Sequence, residues 1–202
     1  MDIPVRTVYN VFSNDKEVDF MDFEPKSFLL RDGRTAVLRA PRREDAAEMN
    51  RYLRICSGET DFLLRTPEEC VESGEQEAAY LEKVLADPDT LMIVCEVCGE
   101  IAGNCCIGFG VRRKTSHRGR IGIGLYRKFW GLGIGTRLFA EMESAARVRG
   151  AEQLELEFIE GNDRGRALYE KCGFRIVSEH PNAIHQPDGR RCCEYLMIKE
   201  LT

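Results

Sequence analysis

Trp130, Gly131, Leu132, Gly133, Ile134, Gly135 and Thr136 carry the strongest chemical signal in the chain. Alternating glycines let a backbone turn sharply and approach a ligand closely. Residues 137–146 have helical spacing, so the loop opens onto a helix start with unpaired N–H groups and a partial positive charge. Just upstream, Gly122-Ile123-Gly124-Leu125 reads as the end of a strand. A strand, a glycine turn and a helix N-terminus together make a cradle for phosphate.

The spacing discriminates among phosphate loops. A Walker loop needs Gly-Lys-Ser/Thr at the helix start, whereas this chain has Gly135-Thr136-Arg137. A dinucleotide fingerprint needs GxGxxG after a first strand and an acid about 20 residues on. Here the glycines are spaced GxGxG, and the loop comes after several strands.

The elements that must position the loop follow from pattern. Asp32-Gly33 is a turn signal and 35–39 a short strand; Pro41 opens a helix to about residue 55. Thr66-Pro67-Glu68-Glu69 has the form of a capping box, which predicts one helix from there to about residue 85, weakened at Gly74. Apolar strands are expected at 91–97 and 101–108, then at 120–125 before the loop. The helix after the loop stops at Gly150, and 153–159 alternates with Leu154, Leu156 and Phe158 on one face. Asn162 or Asp163 caps a short helix closed by Gly173, and strands at 174–178 and 192–199 end the chain, with a turn-rich loop between them. This order predicts one α/β domain on a mixed sheet over 35–202, preceded by an N-terminal extension over 1–34.

Bulk properties bound the rest. The length suits one domain with a full core. No apolar run reaches membrane-spanning length and no signal-peptide layout opens the chain, so cytoplasmic residence without a membrane partner is expected. Nine cysteines include Cys95 and Cys98 as a CxxC, but on a strand these point to opposite faces, and no second pair completes a zinc set. No metal and buried free thiols are expected. From Glu59 to Glu82 there are eight acids against Arg65 alone; from Arg112 to Ala140 there are eight Lys and Arg and no acid. A basic stretch beside a phosphate cradle suits a polyanionic small ligand.

With Asn162, Leu168, Tyr169, Lys171, Gly173 and Phe174 added, the loop resembles the GCN5-related N-acetyltransferase (GNAT) superfamily. There a Q/R-x-x-G-x-G/A loop binds the pyrophosphate of acetyl-CoA, and an N-x-x-A-x-x-L-Y-x-K-x-G-F segment follows. The resemblance implies a GNAT fold, a mixed central sheet flanked by helices, and acetyl-CoA as acyl donor. It implies acetyl transfer to a primary amine by direct attack in a ternary complex, with no metal and no nucleic acid. Gly131, Gly133, Gly135 and Thr136 would then face the pyrophosphate beside Trp130. Ile123 and Leu125 would pair their backbone with the pantetheine amides, where the neighbouring strand 154–158 splays away. Asn162 would touch the pantetheine as well as cap its helix, and Tyr169 would protonate the departing thiolate.

The pattern has departures. Trp130 stands at the Gln/Arg position, Gly165 at the alanine and Arg166 at an apolar residue, and no carboxylate lies on 120–125 to act as base. Glu157, His117 or a water chain are the candidates for that role. The acceptor is a small-molecule amine, an amino acid or a protein N-terminus, selected between the loop around Gly58–Phe62, with the acids at Glu68, Glu69, Glu72, Glu75 and Glu77, and the loop Asn182–Gly189. A homodimer is common among relatives, with Phe12, Phe20 and Phe23 as candidate contacts. The competing class is a catalytically silent acyl-CoA-binding module on the same fold.

Overall fold

A computed structural model describes residues 23–201. Strands β1 (Lys26–Leu29) and β2 (Thr35–Arg39) precede helices α1 (Ala46–Glu59) and α2 (Gly74–Leu85). Strands β3 (Thr90–Val97), β4 (Glu100–Phe109) and β5 (Arg118–Leu125) lead to α3 (Ile134–Arg149). Then come β6 (Gln153–Ile159), α4 (Asp163–Lys171), β7 (Arg175–His185) and β8 (Arg191–Glu200). Among the described residues one sheet holds all eight strands in the order β1-β2-β3-β4-β5-β6-β8-β7. Neighbours are antiparallel except β5 and β6, which run parallel and enclose α3 as their crossover. The fold is therefore the α/β, mixed-sheet architecture that the element order predicted.

Each face of the sheet has its own helices. Phe139 of α3 meets Tyr169 of α4 and Phe174 edge-on at 5.6 Å, and Phe158 of β6 lies 5.9 Å from Tyr169. Leu154, Leu156 and Phe158 thus pack under α3 and α4, burying the apolar half of the β6 alternation. On the other face Tyr52 of α1 brings its hydroxyl to 2.5 Å from where a Cβ on Gly124 would sit, so only glycine allows that approach.

Three sequence expectations are corrected. Residues 26–29, expected in a peripheral extension, form a sheet strand, because Lys26–Leu29 pair with Leu38–Thr35. Lys26 and Arg137 also both bind the buried Glu141 of α3. The single helix expected from Thr66 is broken: its capping box closes only a 3₁₀ turn at Pro67–Glu69, and α2 starts afresh from a second box, Ser73 with Gln76. The loop expected between the last strands is mostly hairpin, since β7 runs on to His185 across two register irregularities. Phe12 and Phe20 lie outside the described residues, while Phe23 packs against the core. Among the described residues no helix is long and apolar enough to cross a membrane.

Arg39 ties the start of α1 to the sheet. Its guanidinium donates to Asp45 at 2.7 and 2.9 Å and to Glu96 of β3 at 3.0 Å, with its side chain 7% exposed. Burial works to raise the Asp45 carboxyl, but the Arg39 bonds and the Arg42 N–H outweigh it and hold the carboxyl below its ordinary value. Arg39→Met leaves both carboxylates without this partner, and is expected to cost about 3 kcal/mol, roughly 6–12 °C in melting temperature. Because the folded Asp45 value is depressed, its contribution is present above the unfolded carboxylate pKa of about 4 and lost as pH falls through the folded value. The gap between wild type and variant in thermal melts should therefore narrow in acid; a gap that is constant from pH 7 to pH 3 would contradict this.

Candidate active site

Strands β5 and β6 start side by side and then part. Their pairing covers only Arg118–Arg120 with Gln153–Glu155, although β5 continues to Leu125 and β6 to Ile159. Tyr126 N–H donates to Ala102 O of β4 at 2.9 Å, so alternation along β5 turns the N–H and C=O of Ile121, Ile123 and Leu125 away from β4. Beyond Arg120 these groups face the open side of the parting. One is already taken: Trp130 Nε1 donates to Leu125 O at 2.8 Å.

The glycine loop sits at the end of β5, at the mouth of the parting. Gly131 (φ 78°) and Gly133 (φ 98°) are left-handed, and Gly133 is the N-cap of α3. The first helical bond runs from Arg137 N–H to Gly133 O, which leaves the N–H groups of Ile134, Gly135 and Thr136 without intrahelical partners. Gly135 packs closely against α4: a Cβ there would sit 2.7 Å from a methyl of Leu168, which would have to shift. Across the mouth, Asn162 caps α4 by accepting from Gly165 N–H at 2.9 Å. A Cβ on residue 165 would come 2.6 Å from Asn162 Nδ2, so glycine here lets the capping amide lie close over the first turn of α4.

Tyr169 projects from α4 into the core beneath the parting, 7% exposed and set between Phe139 and Phe158. Among the described residues nothing hydrogen-bonds its hydroxyl. Burial, with a smaller push from Cys105, raises its pKa to about 12, so it keeps its proton at any physiological pH.

The face toward α1 carries a row of charged groups across the parting. Arg120 of β5 pairs with Glu157 of β6. Glu194 of β8 lies opposite Ile159 and shares its face with Glu157, and His180 of β7 lies opposite Glu194. Burial first, then the Glu157 charge, raises the Glu194 carboxyl above its ordinary value against the pull of Arg120 and His180. His117 is elsewhere: it precedes β5 at the end away from the glycine loop, roughly 25 Å along the strand. The two expected walls do meet, through Gln186 Nε2 to Asp61 O at 2.9 Å and Arg190 to Asp61 at 3.0 Å. Within the acidic stretch, Glu69 caps its own turn, Glu72 pairs with Arg65, and Glu75 and Glu82 pair with Arg43.

Sequence reasoning missed Glu194, Arg31 and Arg164. Glu194 is brought to the cleft by sheet order β6-β8-β7, which no local pattern encodes. Arg31 N–H and Nη1 donate to Leu132 O and Gly131 O at 3.3 and 3.2 Å from the turn after β1, a strand the sequence did not announce. Arg164 stacks on Trp130 with its guanidinium 5.3 Å from the ring centroid.

Parted parallel strands with a glycine loop and a helix start at their mouth could take a phosphorylated ligand with an extended arm. The acetyltransferase (GNAT) family model matches residues 59–174 of the 202, and the chain belongs to that family. An acetyltransferase of the GNAT family from Streptococcus pneumoniae is 26% identical, with a TM-score of 0.76 over 82% of this chain and 99% of that one. The yncA protein of Salmonella typhimurium, solved with its cofactor acetyl-CoA, shares the fold at 16% identity, TM-score 0.72, covering 83% and 94%. So does a ribosomal-protein-alanine N-acetyltransferase from Brucella melitensis, at 22% identity and TM-score 0.71, covering 81% and 98%. No curated protein sequence matches the chain.

Gly133 has open space around its missing Cβ, so its requirement is conformational alone. Gly133→Ala is expected to cost about 1–2 kcal/mol through the left-handed backbone. Equilibrium unfolding measures this, and an unchanged stability would mean that the loop relaxes without penalty.

Proposed function

We propose that the chain is an acetyl-CoA-dependent N-acetyltransferase that moves the acetyl group to a primary amine by direct attack within a ternary complex. The observation that supports this best is the parting of β5 from β6, open along Ile121–Leu125 and closed at its mouth by the glycine loop. Ile123 and Leu125 offer backbone groups to the pantetheine amides, as a sheet edge pairs with a peptide. Gly131, Gly133, Gly135 and Thr136 offer N–H groups to the pyrophosphate, where the start of α3 favours negative charge. Asn162 keeps its Nδ2 for the arm while its Oδ1 caps α4.

Tyr169 is the general acid in this reading. Proton transfer from an ordinary tyrosine to an ordinary thiolate is uphill by about 1.5 pKa units, roughly 2 kcal/mol. Burial widens that gap for Tyr169 in the free protein, but the departing thiolate is formed in the same buried place and is raised by the same desolvation. The acceptor stands on the α1 face, before Gly122 and Gly124, where Glu157 and Glu194 favour a cation. A carboxyl raised like Glu194 is the better proton acceptor, while Glu157 is held by Arg120. An α-amino group needs only about 1 kcal/mol to lose its proton at neutral pH, against roughly 4–5 kcal/mol for a lysine amine.

The test is thiol release from acetyl-CoA in the presence of a panel of small amines, amino-acid amides and peptides with free N-termini. Amine-dependent release is expected. Acetyl-CoA binding without release for any amine would favour the silent binding module. Tyr169→Phe should lower kcat about 100-fold while leaving the acetyl-CoA dissociation constant within about twofold. An unchanged kcat across pH 6–9 would remove Tyr169 from the chemistry. In the wild type, kcat/KM should rise with pH as the amine deprotonates, with no fall attributable to Tyr169 below about pH 10, since its proton leaves only near 12.

A further inference from the structure

Trp130 occupies the loop position where the related pattern has Gln or Arg, and its one polar atom is committed to Leu125 O. It has no donor left for a phosphate. Around it, however, the fold gathers cations from three separate segments. Arg127 lies 5.5 Å and Arg164 5.3 Å from the Trp130 ring centroid. Arg31 reaches the loop from the turn between β1 and β2, outside the span that the family model matches, and holds two successive loop carbonyls, Gly131 and Leu132. Those bonds tie down carbonyl oxygens at the start of the loop, while of its N–H groups only that of Trp130 is committed among the described residues, to Arg127 O.

Arg31 and Arg164 converge on the same residue. Arg31 Nη1 is 3.2 Å from Gly131 O, and Arg164 Nη2 is 3.1 Å from where a Gly131 Cβ would be. Absence of a side chain at Gly131 leaves the room that the Arg164 guanidinium occupies. Among the described residues neither arginine has a carboxylate partner, although their neighbours do: Arg34 pairs with Asp32, Lys128 with Glu100 and Arg137 with Glu141. Two like charges drawn to one glycine beside a positive helix start repel each other, and an anion between them removes that cost.

We propose that Arg31 and Arg164 are a pair of guanidinium jaws, one on each side of the glycine loop, that grip phosphate oxygens of the donor's nucleotide in place of the side chain that Trp130 lacks. This rests on the acetyl-CoA reading. Arg31 donates its free N–H groups from the β1–β2 turn and Arg164 from the first turn of α4, so the bound phosphate bridges the edge of the sheet to the helix that carries Tyr169. The oxygens gripped belong to the pyrophosphate or to the 3′-phosphate, and both present the same chemistry.

Calorimetric titration with CoA, dephospho-CoA and inorganic pyrophosphate separates the cases. Arg31→Ala and Arg164→Ala should each weaken CoA binding about tenfold, and the double variant approaches a hundredfold. Arg31→Lys keeps the charge and loses the fork, so it should fall between. The same loss with dephospho-CoA assigns the jaws to the pyrophosphate; its absence there assigns them to the 3′-phosphate. A double variant that binds CoA within threefold of wild type overturns the proposal. So does a loss accompanied by a lowered melting temperature of the free protein, if Arg31→Lys and Arg164→Lys bind like wild type. Wild-type protein that ignores CoA yet binds pyrophosphate through both arginines would retain the jaws and sink the acetyl-CoA reading.

Discussion

Two strands cannot both keep their hydrogen bonds to each other and follow different partners. β5 stays registered with β4 from Gly119 to Leu125, and β6 stays registered with β8 from Gln153 to Ile159. Between them only three residue pairs hold, Arg118 to Arg120 with Gln153 to Glu155. Past that point the sheet opens, and backbone groups that a closed sheet would satisfy are left for another occupant. The glycine loop, the start of α3 and the cap of α4 are all placed by where this opening ends.

The opening also divides labour between the two faces. On the α3 and α4 side the apolar half of β6 is sealed by Phe139, Phe158 and Tyr169, which gives a dry setting and a tyrosine that keeps its proton. Facing α1, glycines on β5 bring Tyr52 close, and charged residues fill β6, β8 and β7 instead. A ligand in the opening would have an apolar wall with a proton donor on one side and a charged wall on the other. The salt bridge of Arg120 with Glu157 crosses the gap on that charged wall.

Local order was legible where the pattern is local. Alternation in β6, the left-handed glycines at 131 and 133, the stop at Gly150 and the cap at Asn162 each follow from one residue type in one backbone state. Helix α2 was misjudged because two capping boxes compete within one segment, and the later one, at Ser73, forms the helix. β1 was invisible because its four residues show no alternation in exposure, and its place is set by distant partners, β2 in the sheet and Glu141 of α3 under Lys26. The candidate site was legible along the loop and α4, and illegible where it depends on distant segments. Arg31 enters through β1, and Glu194 through a strand order that sets β8 beside β6. The partners within the acidic stretch are also set by distant segments: Glu75 and Glu82 meet Arg43, Glu72 meets Arg65, and Glu69 caps its own turn.

Residue-resolved amide hydrogen exchange, with and without saturating acetyl-CoA, reads occupation of the opening between β5 and β6 directly. Exchange reports local opening at single N–H groups, so it distinguishes occupation of the parting from binding elsewhere. New protection is expected at Ile121, Ile123 and Leu125 on β5 and at Gly133 through Thr136 in the loop, while amides of β5 already bonded to β4 change little. NAD should produce neither effect. Acetyl-CoA that binds yet leaves the β5 edge unprotected would place the extended arm outside the opening between β5 and β6 and rule that opening out as the donor site.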